Sequence, residues 1–526
     1  MTAARVSERS VLDRGTERSS AVGRLLIDIG PDTKLTAEDV ERVRSSGSAE
    51  VSLALTTAGE YAVRRSAVTL DAALAAGVRV YGASTGFGAF VRDEAGVDGA
   101  AQARGLIDHL TAGWGPLLEP GIVRAMMAVR CQTLALGRSG VRREVLAGIV
   151  DLVNAGIAPA VPSVGSVGAS GDLIPLAHTA RVLAGSGEVI DSKGDTIPGG
   201  EALARAGLLP IELGARDALS LVNGTACMTA HAAVAAVLCN RLILHAEALC
   251  AWLMLSLGCR AESLDARLHR ARGHGGQSAS AQRILSMIRD PSADESRPLQ
   301  EIYSIRCAPQ ILGACRDQLS SARAVIETEL NGVTDNPIVC GTPDRPEVLH
   351  GGNFQGQQIA FASDAINAAL TQTALLVERQ VEALCDPRVS GGAPLLLSGA
   401  PGESSGMAGA QITATALAAE LRRNAAPSAV ATIPTNAGNQ DIVSMGAMAA
   451  RVAMEQAERA GGVLAVLAIC ISQLQHLRQH GRAPGSPAPP PFPMPDVRSS
   501  LTDRPVRGDI DRLGRWFTRK GSVAGA

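Results

Sequence analysis

Gly165-Ser166-Val167-Gly168-Ala169-Ser170-Gly171-Asp172-Leu173-Ile174-Pro175-Leu176-Ala177-His178 sets glycines three residues apart ahead of an apolar run. A phosphate-binding loop would need Gly-Lys followed by Ser or Thr, and no lysine occurs here. A dinucleotide-binding turn needs a preceding strand, whereas Ala158-Pro159-Ala160-Val161-Pro162 offers two prolines that suit a strand poorly. A tight structural turn is the plainest reading.

Backbone cyclisation accounts for the residue identities as well as the spacing. The amide nitrogen of Gly171 attacks the carbonyl carbon of Ala169 and closes a five-membered ring, the Ala169 oxygen leaving as a first water. Glycine leaves that nitrogen uncrowded, and alanine lets the turn pinch. Ser170 then loses its hydroxyl as water, leaving an exocyclic methylene. The product is 4-methylideneimidazol-5-one, a carbon electrophile made without metal or added cofactor. A helix expected after Asp172 would aim its N-terminal dipole at it.

Working outward, the helical signals dominate. Apolar periodicity predicts helices over about 100–112, 121–137 and 141–154, and longer ones over about 215–257, 309–331, 355–385, 408–424 and 441–479. Leu35-Thr36-Ala37-Glu38-Asp39-Val40 reads as a helix start. Aromatic residues make up only 2% of the chain, so the core must pack through Ala, Leu, Val and Ile. The expectation is a mainly α fold with a long central antiparallel helical bundle. Length suggests roughly three domains. The proposed division is a loosely attached N-terminus at 1–30, an N-terminal domain at 31–215, a long-helix bundle at 216–482, and a Pro-rich and C-terminal tail at 483–526, extended around Ala-Pro-Pro-Pro-Phe-Pro.

A net charge of −2 gives no pull toward nucleic acid or an anionic membrane. Residues 1–24 lack the apolar segment of a signal peptide, and charged residues interrupt each apolar run, so no membrane span is expected. The ten cysteines fall at no zinc spacing and read as reduced residues of a cytoplasmic protein. No histidine pair brackets an acid at metal-binding spacing, so no metal is expected; His178, His274 and His350 read equally well as structural histidines.

Residues 165–178 resemble the signature of the histidine, phenylalanine and tyrosine ammonia-lyase family, and the resemblance extends over about residues 75–480. It implies the ammonia-lyase/fumarase-like helical fold, the self-made ring from Ala169, Ser170 and Gly171, an amino-acid substrate, and a homotetramer whose active sites are shared between chains. By the same resemblance, Tyr81 in Tyr-Gly-Ala-Ser-Thr-Gly-Phe-Gly is the proton-abstracting residue, a phenolate that a helix dipole would stabilise. Tyr303 and Arg306, in Tyr-Ser-Ile-Arg, would assist at the amine and hold the substrate carboxylate. Asn223, otherwise a helix cap, would donate to the ring carbonyl. Asn353 and Phe354, the Asn436, Asn439 and Gln440 loop, Gly88 and Leu173 match pocket-wall positions.

The substrate expectation rests on His109-Leu110. Tyrosine-specific members resemble His-Leu here, phenylalanine-specific ones Phe-Leu, and histidine-specific ones Ser-His. An imidazole can hydrogen-bond a phenol, and a site built for a hydroxyl rejects the analogue lacking it. Gln440 agrees, since histidine-specific members tend to carry glutamate there. Asp108, Trp114 and the proline-free Arg272-Gly273-His274-Gly275-Gly276-Gln277 depart from the family pattern; the first two are expected to alter pocket polarity or loop mobility. The resulting expectation is tyrosine ammonia-lyase, with tyrosine 2,3-aminomutase, a phenylalanine- or histidine-preferring lyase, and a non-catalytic helical scaffold as competing readings.

Overall fold

A computed structural model describes residues 25–47, 50–96, 98–288 and 297–519. In the N-terminal part, strands β1 (Leu25–Ile29) and β2 (Val51–Leu55) pair in parallel. The helix between them, α1 (Ala37–Ser45), begins where the sequence predicts. Thr36 accepts from the Asp39 amide, and the Asp39 carboxylate accepts from the Thr36 amide, satisfying two otherwise orphaned donors. α2 (Thr57–Ala75) follows, then α3 (Gly99–Leu110), β3 (Trp114–Leu117), α4 (Pro120–Ala135), α5 (Arg143–Ala155), β4 (Pro162–Val164) and α6 (Leu173–Leu183). β3 and β4 pair antiparallel with an irregular register, and Pro162 opens its strand, a position where its missing N–H is tolerated.

Two differences from expectation appear in this half. Leu25–Ile29 form a strand although they fall within the expected loose N-terminus; residues 1–24 lie outside the described residues. The expected single helix over 215–257 is two helices, α7 (Ala215–Val222) and α8 (Ala226–Leu257), because Asn223 leaves the helix in an extended conformation (φ −90°, ψ 91°). The apolar period runs through this break undisturbed, so the sequence pattern alone does not mark it.

The second half is the bundle. α8, α9 (Ala308–Leu330), α10 (Gln357–Cys385) and α12 (Gly446–Gln479) pack together, with α11 (Ala408–Arg423) and α13 (Arg507–Thr518) laid against α12. α8 and α12 are long and apolar enough to cross a membrane by composition, yet 83% of each apolar window is buried among other helices. Among the described residues one contiguous apolar core runs from Ile27 to Phe517, with two small satellite clusters. In the tail, α13 is a helix that the Pro-rich reading did not anticipate. Phe517 and Phe492 pack around the buried His245 ring.

α8 also buries a charge. Glu247 is fully buried and accepts from Arg316 at 2.6 Å through both oxygens, with Arg283 at 3.3 Å. Glu247→Ala would leave those arginines charged without this carboxylate. It is expected to cost about 3 kcal/mol or more, read as a lowered midpoint in chemical denaturation.

Candidate active site

Gly168 and Gly171 both sit at positive φ (+70° and +71°) and bracket Ala169-Ser170 in a pinched turn. Glycine is required at Gly171 on two counts. The left-handed conformation strains any other residue, and a Cβ there would collide with the backbone of Gly224. Gly171 and Gly224 form a parallel bridge, and the Asp172 amide donates to the Gly224 carbonyl at 2.8 Å. The break between α7 and α8 therefore exists to bring bare backbone against the turn.

Helix starts surround this turn. α6 begins directly after it, at Leu173. Asp172 accepts from the Met228 amide in the first turn of α8 at 2.8 Å. The Gly356 amide ahead of α10 and the Ser444 hydroxyl ahead of α12 donate to the Gly168 carbonyl, at 3.3 and 2.9 Å. The Met445 amide donates to Val167 at 2.9 Å. Four N-terminal helix ends thus direct their positive poles at residues 166–172.

Ser170 is held by two amides. Asn223 Nδ2 donates to its carbonyl oxygen at 3.0 Å, and Gln440 Nε2 donates to its hydroxyl at 2.8 Å. The Thr435 hydroxyl donates to Gln440 Oε1 at 2.6 Å, which fixes which end of that amide faces Ser170. Thr435 is a positioning residue that sequence reading missed, although it lies five residues from Gln440 in the same amide-rich loop. Gln440 thus contacts Ser170 directly.

A cavity of about 810 Å³ opens above Ser170. Its lining includes Tyr81, Gly88, His109, Leu110, Leu173, Asn223, Asn436 and Gln440, all expected from sequence. Phe87, Gln102, Leu106 and Leu219 also line it and were not expected. Gln102 carried a readable signal: it lies seven residues before His109, on the same face of α3. The Tyr81 hydroxyl accepts from the Gly88 amide at 2.7 Å, and its ring stands edge-on to Phe87. Burial pushes the Tyr81 phenol above its ordinary range, opposed only by that amide. Gly88, whose amide meets this hydroxyl, opens a three-residue 3-10 turn. The Tyr81 amide donates to His350 Nε2 at 3.1 Å, which gives His350 a structural task.

His109 contacts the Gly105 carbonyl through Nδ1 at 2.8 Å. A carbonyl only accepts, so Nδ1 carries the proton and Nε2 of the neutral ring is left as an acceptor. His178 Nε2 likewise meets the Ala112 carbonyl, and His274 is exposed.

Five expected residues lie away from this cavity. Tyr303 is 70% exposed, and Arg306 stacks over its ring at 4.7 Å, in a separate cleft with Leu299 and Gln310. Asn353 donates to the Val333 carbonyl at 3.1 Å; Phe354 and Asn439 are likewise outside the lining. Neither Asp108 nor Trp114 reaches the pocket, and Trp114 is 79% exposed, so they do not set its polarity within one chain. Among the described residues no group of three or more His, Cys, Asp or Glu is arranged to hold a metal ion.

Comparison with known proteins places this geometry. The model of the aromatic amino acid lyases matches residues 35–490. The chain belongs to the aromatic amino acid lyase family. The lyase is 39% identical to the tyrosine ammonia-lyase of Cereibacter sphaeroides, over 92% of this chain and 97% of that one. It is 42% identical to the histidine ammonia-lyase of Gloeobacter violaceus, over 84% and 86%. Its fold is similar to the crystal structure of a tyrosine aminomutase from Streptomyces globisporus, with a TM-score of 0.84 and 30% identity, covering 94% of this chain and 97% of that one. The lyase is thus a carbon–nitrogen lyase by family, with relatives of more than one substrate and outcome.

One buried acid beside the turn carries a pH prediction. Desolvation pushes Asp172 from its ordinary 3.8 up to about 6, against hydrogen bonds from Met228 and Ser166. The folded lyase then holds a proton there that the unfolded chain has released between those two values. The Asp172 contribution to stability therefore falls as pH rises through that window and is level above it. Comparing wild type with Asp172→Asn by denaturation across this range should give a stability difference that changes with pH below about 6; a pH-independent difference would remove the assignment.

Proposed function

We propose that this lyase is a tyrosine ammonia-lyase, converting L-tyrosine to p-coumarate and ammonia. The reading is carried by the convergence of Asn223, Gln440 and Gly171 on Ser170 at the floor of a cavity that also holds Tyr81 and His109. The residues present fit the ring expected from sequence: a small residue, a hydroxyl held by an amide, and a glycine at positive φ with no room for a Cβ. Once formed, the 4-methylideneimidazol-5-one group supplies an electrophilic carbon that makes an amine a better leaving group.

The side chains supply the rest. Asn223 donates to the Ser170 carbonyl oxygen, where negative charge would collect, from a buried position that needs no reorganisation. Tyr81 Oη is held by the Gly88 amide and is the group assigned to take the β-proton. His109 Nε2 is an acceptor at the wall of the cavity and matches the donating hydroxyl of a phenol. Phenylalanine would leave it bare. Leu110 and Leu173 give the ring apolar walls.

Among the described residues no arginine lines this cavity to meet the substrate carboxylate. We assign Arg306 and Tyr303 to the site of a neighbouring copy, as in a homotetramer with shared active sites. Leu299, Ile302 and Tyr303 are exposed around Arg306, an apolar surface suited to being covered by a second chain.

A tyrosine 2,3-aminomutase is the second reading, supported by the similarity to the Streptomyces globisporus enzyme. Incubation with L-tyrosine, L-phenylalanine and L-histidine, with product identification, separates them: p-coumarate is expected, and a β-amino acid would select the mutase. Ser170→Ala should fold normally and lose turnover; appreciable residual rate would contradict the electrophile. His109→Phe should shift the ratio of kcat/KM for tyrosine over phenylalanine toward phenylalanine by about tenfold or more. An unchanged ratio would remove His109 from substrate selection.

A further inference from the structure

Behind the turn lies a buried cation that the mechanism above does not use. Arg130, on α4, is 1% exposed. Its Nη2 donates to the Ser220 carbonyl in α7 and to Asp335 at 3.3 Å. Arg216, also on α7, reaches the other oxygen of Asp335 at 3.5 Å. One fully buried carboxylate thus serves two guanidiniums. Leaving a buried guanidinium incompletely paired is costly, so its retention here calls for a reason. Nη1 and Nε of Arg130 have no hydrogen-bond partner among the described residues.

What Arg130 touches is Gly224. A Cβ on Gly224 would collide with Arg130 Nη1 and press on Thr334 Oγ1. The Gly224 backbone in turn occupies the space a Gly171 side chain would fill. Guanidinium, Gly224 and Gly171 are therefore stacked with no side chain between them. The same guanidinium anchors the Ser220 carbonyl, three residues before Asn223.

We propose that Arg130 is a positioning residue for maturation of the turn, backing Gly224 against Gly171 and setting the end of α7 so that Asn223 meets the Ser170 carbonyl. This rests on the reading that Ala169-Ser170-Gly171 cyclises. In that step the Gly171 nitrogen bonds to the Ala169 carbonyl carbon. The Ala169 oxygen leaves as water with the amide protons of Gly171 and Ser170. The Ser170 hydroxyl leaves with its α-proton as the second water. Closure brings the nitrogen inside van der Waals distance of the carbon, so a backing that does not yield raises the rate through geometry. Lysine at 130 keeps the charge but loses the second terminal nitrogen, so it cannot both reach Ser220 and Asp335, as Nη2 does, and back Gly224, as Nη1 does.

The test is intact-mass spectrometry of the full-length chain, with time after synthesis, for wild type, Arg130→Lys and Arg130→Gln, alongside circular dichroism and thermal melting. Wild type should lack the mass of two waters. Both variants should fold cooperatively yet lose those waters about tenfold more slowly, with Gln slower than Lys. Variants that dehydrate as fast as wild type would overturn the proposal. Insolubility of both would assign Arg130 to folding and overturn it as well. Wild type that retains both waters would instead refute cyclisation itself, and this proposal with it.

Discussion

The backbone contact between Gly171 and Gly224 organises the rest of the molecule. Two chain segments more than fifty residues apart meet without side chains, which forces each into a conformation its neighbours would not choose. On one side the contact gives the turn its positive φ. On the other it splits a long helix in two and swings Asn223 out to face Ser170. The starts of α6, α8, α10 and α12 are fixed around the same point, so the bundle serves as a rigid mount for a few residues. Burial of Asp172 beneath the turn and of Arg130 behind Gly224 are consequences of the same close approach.

Much of this was legible in the sequence because it is written in local terms. Apolar period predicted the long helices to within a few residues at most ends. The helix start at Thr36 followed from its capping residues. The Gly165–Asp172 stretch stood out through residue identity, and the fold does place its Ser170 at the floor of the cavity. What was not legible depends on tertiary contact. The interruption at Asn223 leaves no trace in the apolar pattern, because the helices on both sides of it are buried nearly all round. Thr435 is an ordinary polar residue until the fold sets it beside Gln440. The surroundings of the Tyr81 hydroxyl are likewise set by residues that only the fold brings near, the Gly88 amide among them.

A second division is structural. The cavity of one chain holds a base candidate, amide donors and an acceptor for the substrate's far end, while Arg306 and Tyr303 face outward elsewhere on the surface. A chemistry that needs both the floor and the carboxylate clamp then links activity to assembly.

The most direct measurement is an atomic-resolution electron-density map of the purified enzyme at residues 169–171. The account predicts continuous density between the Gly171 nitrogen and the Ala169 carbonyl carbon, with no hydroxyl oxygen on Ser170. An ordinary open peptide retaining the Ser170 oxygen, in protein that still releases ammonia from an aromatic amino acid, would contradict it.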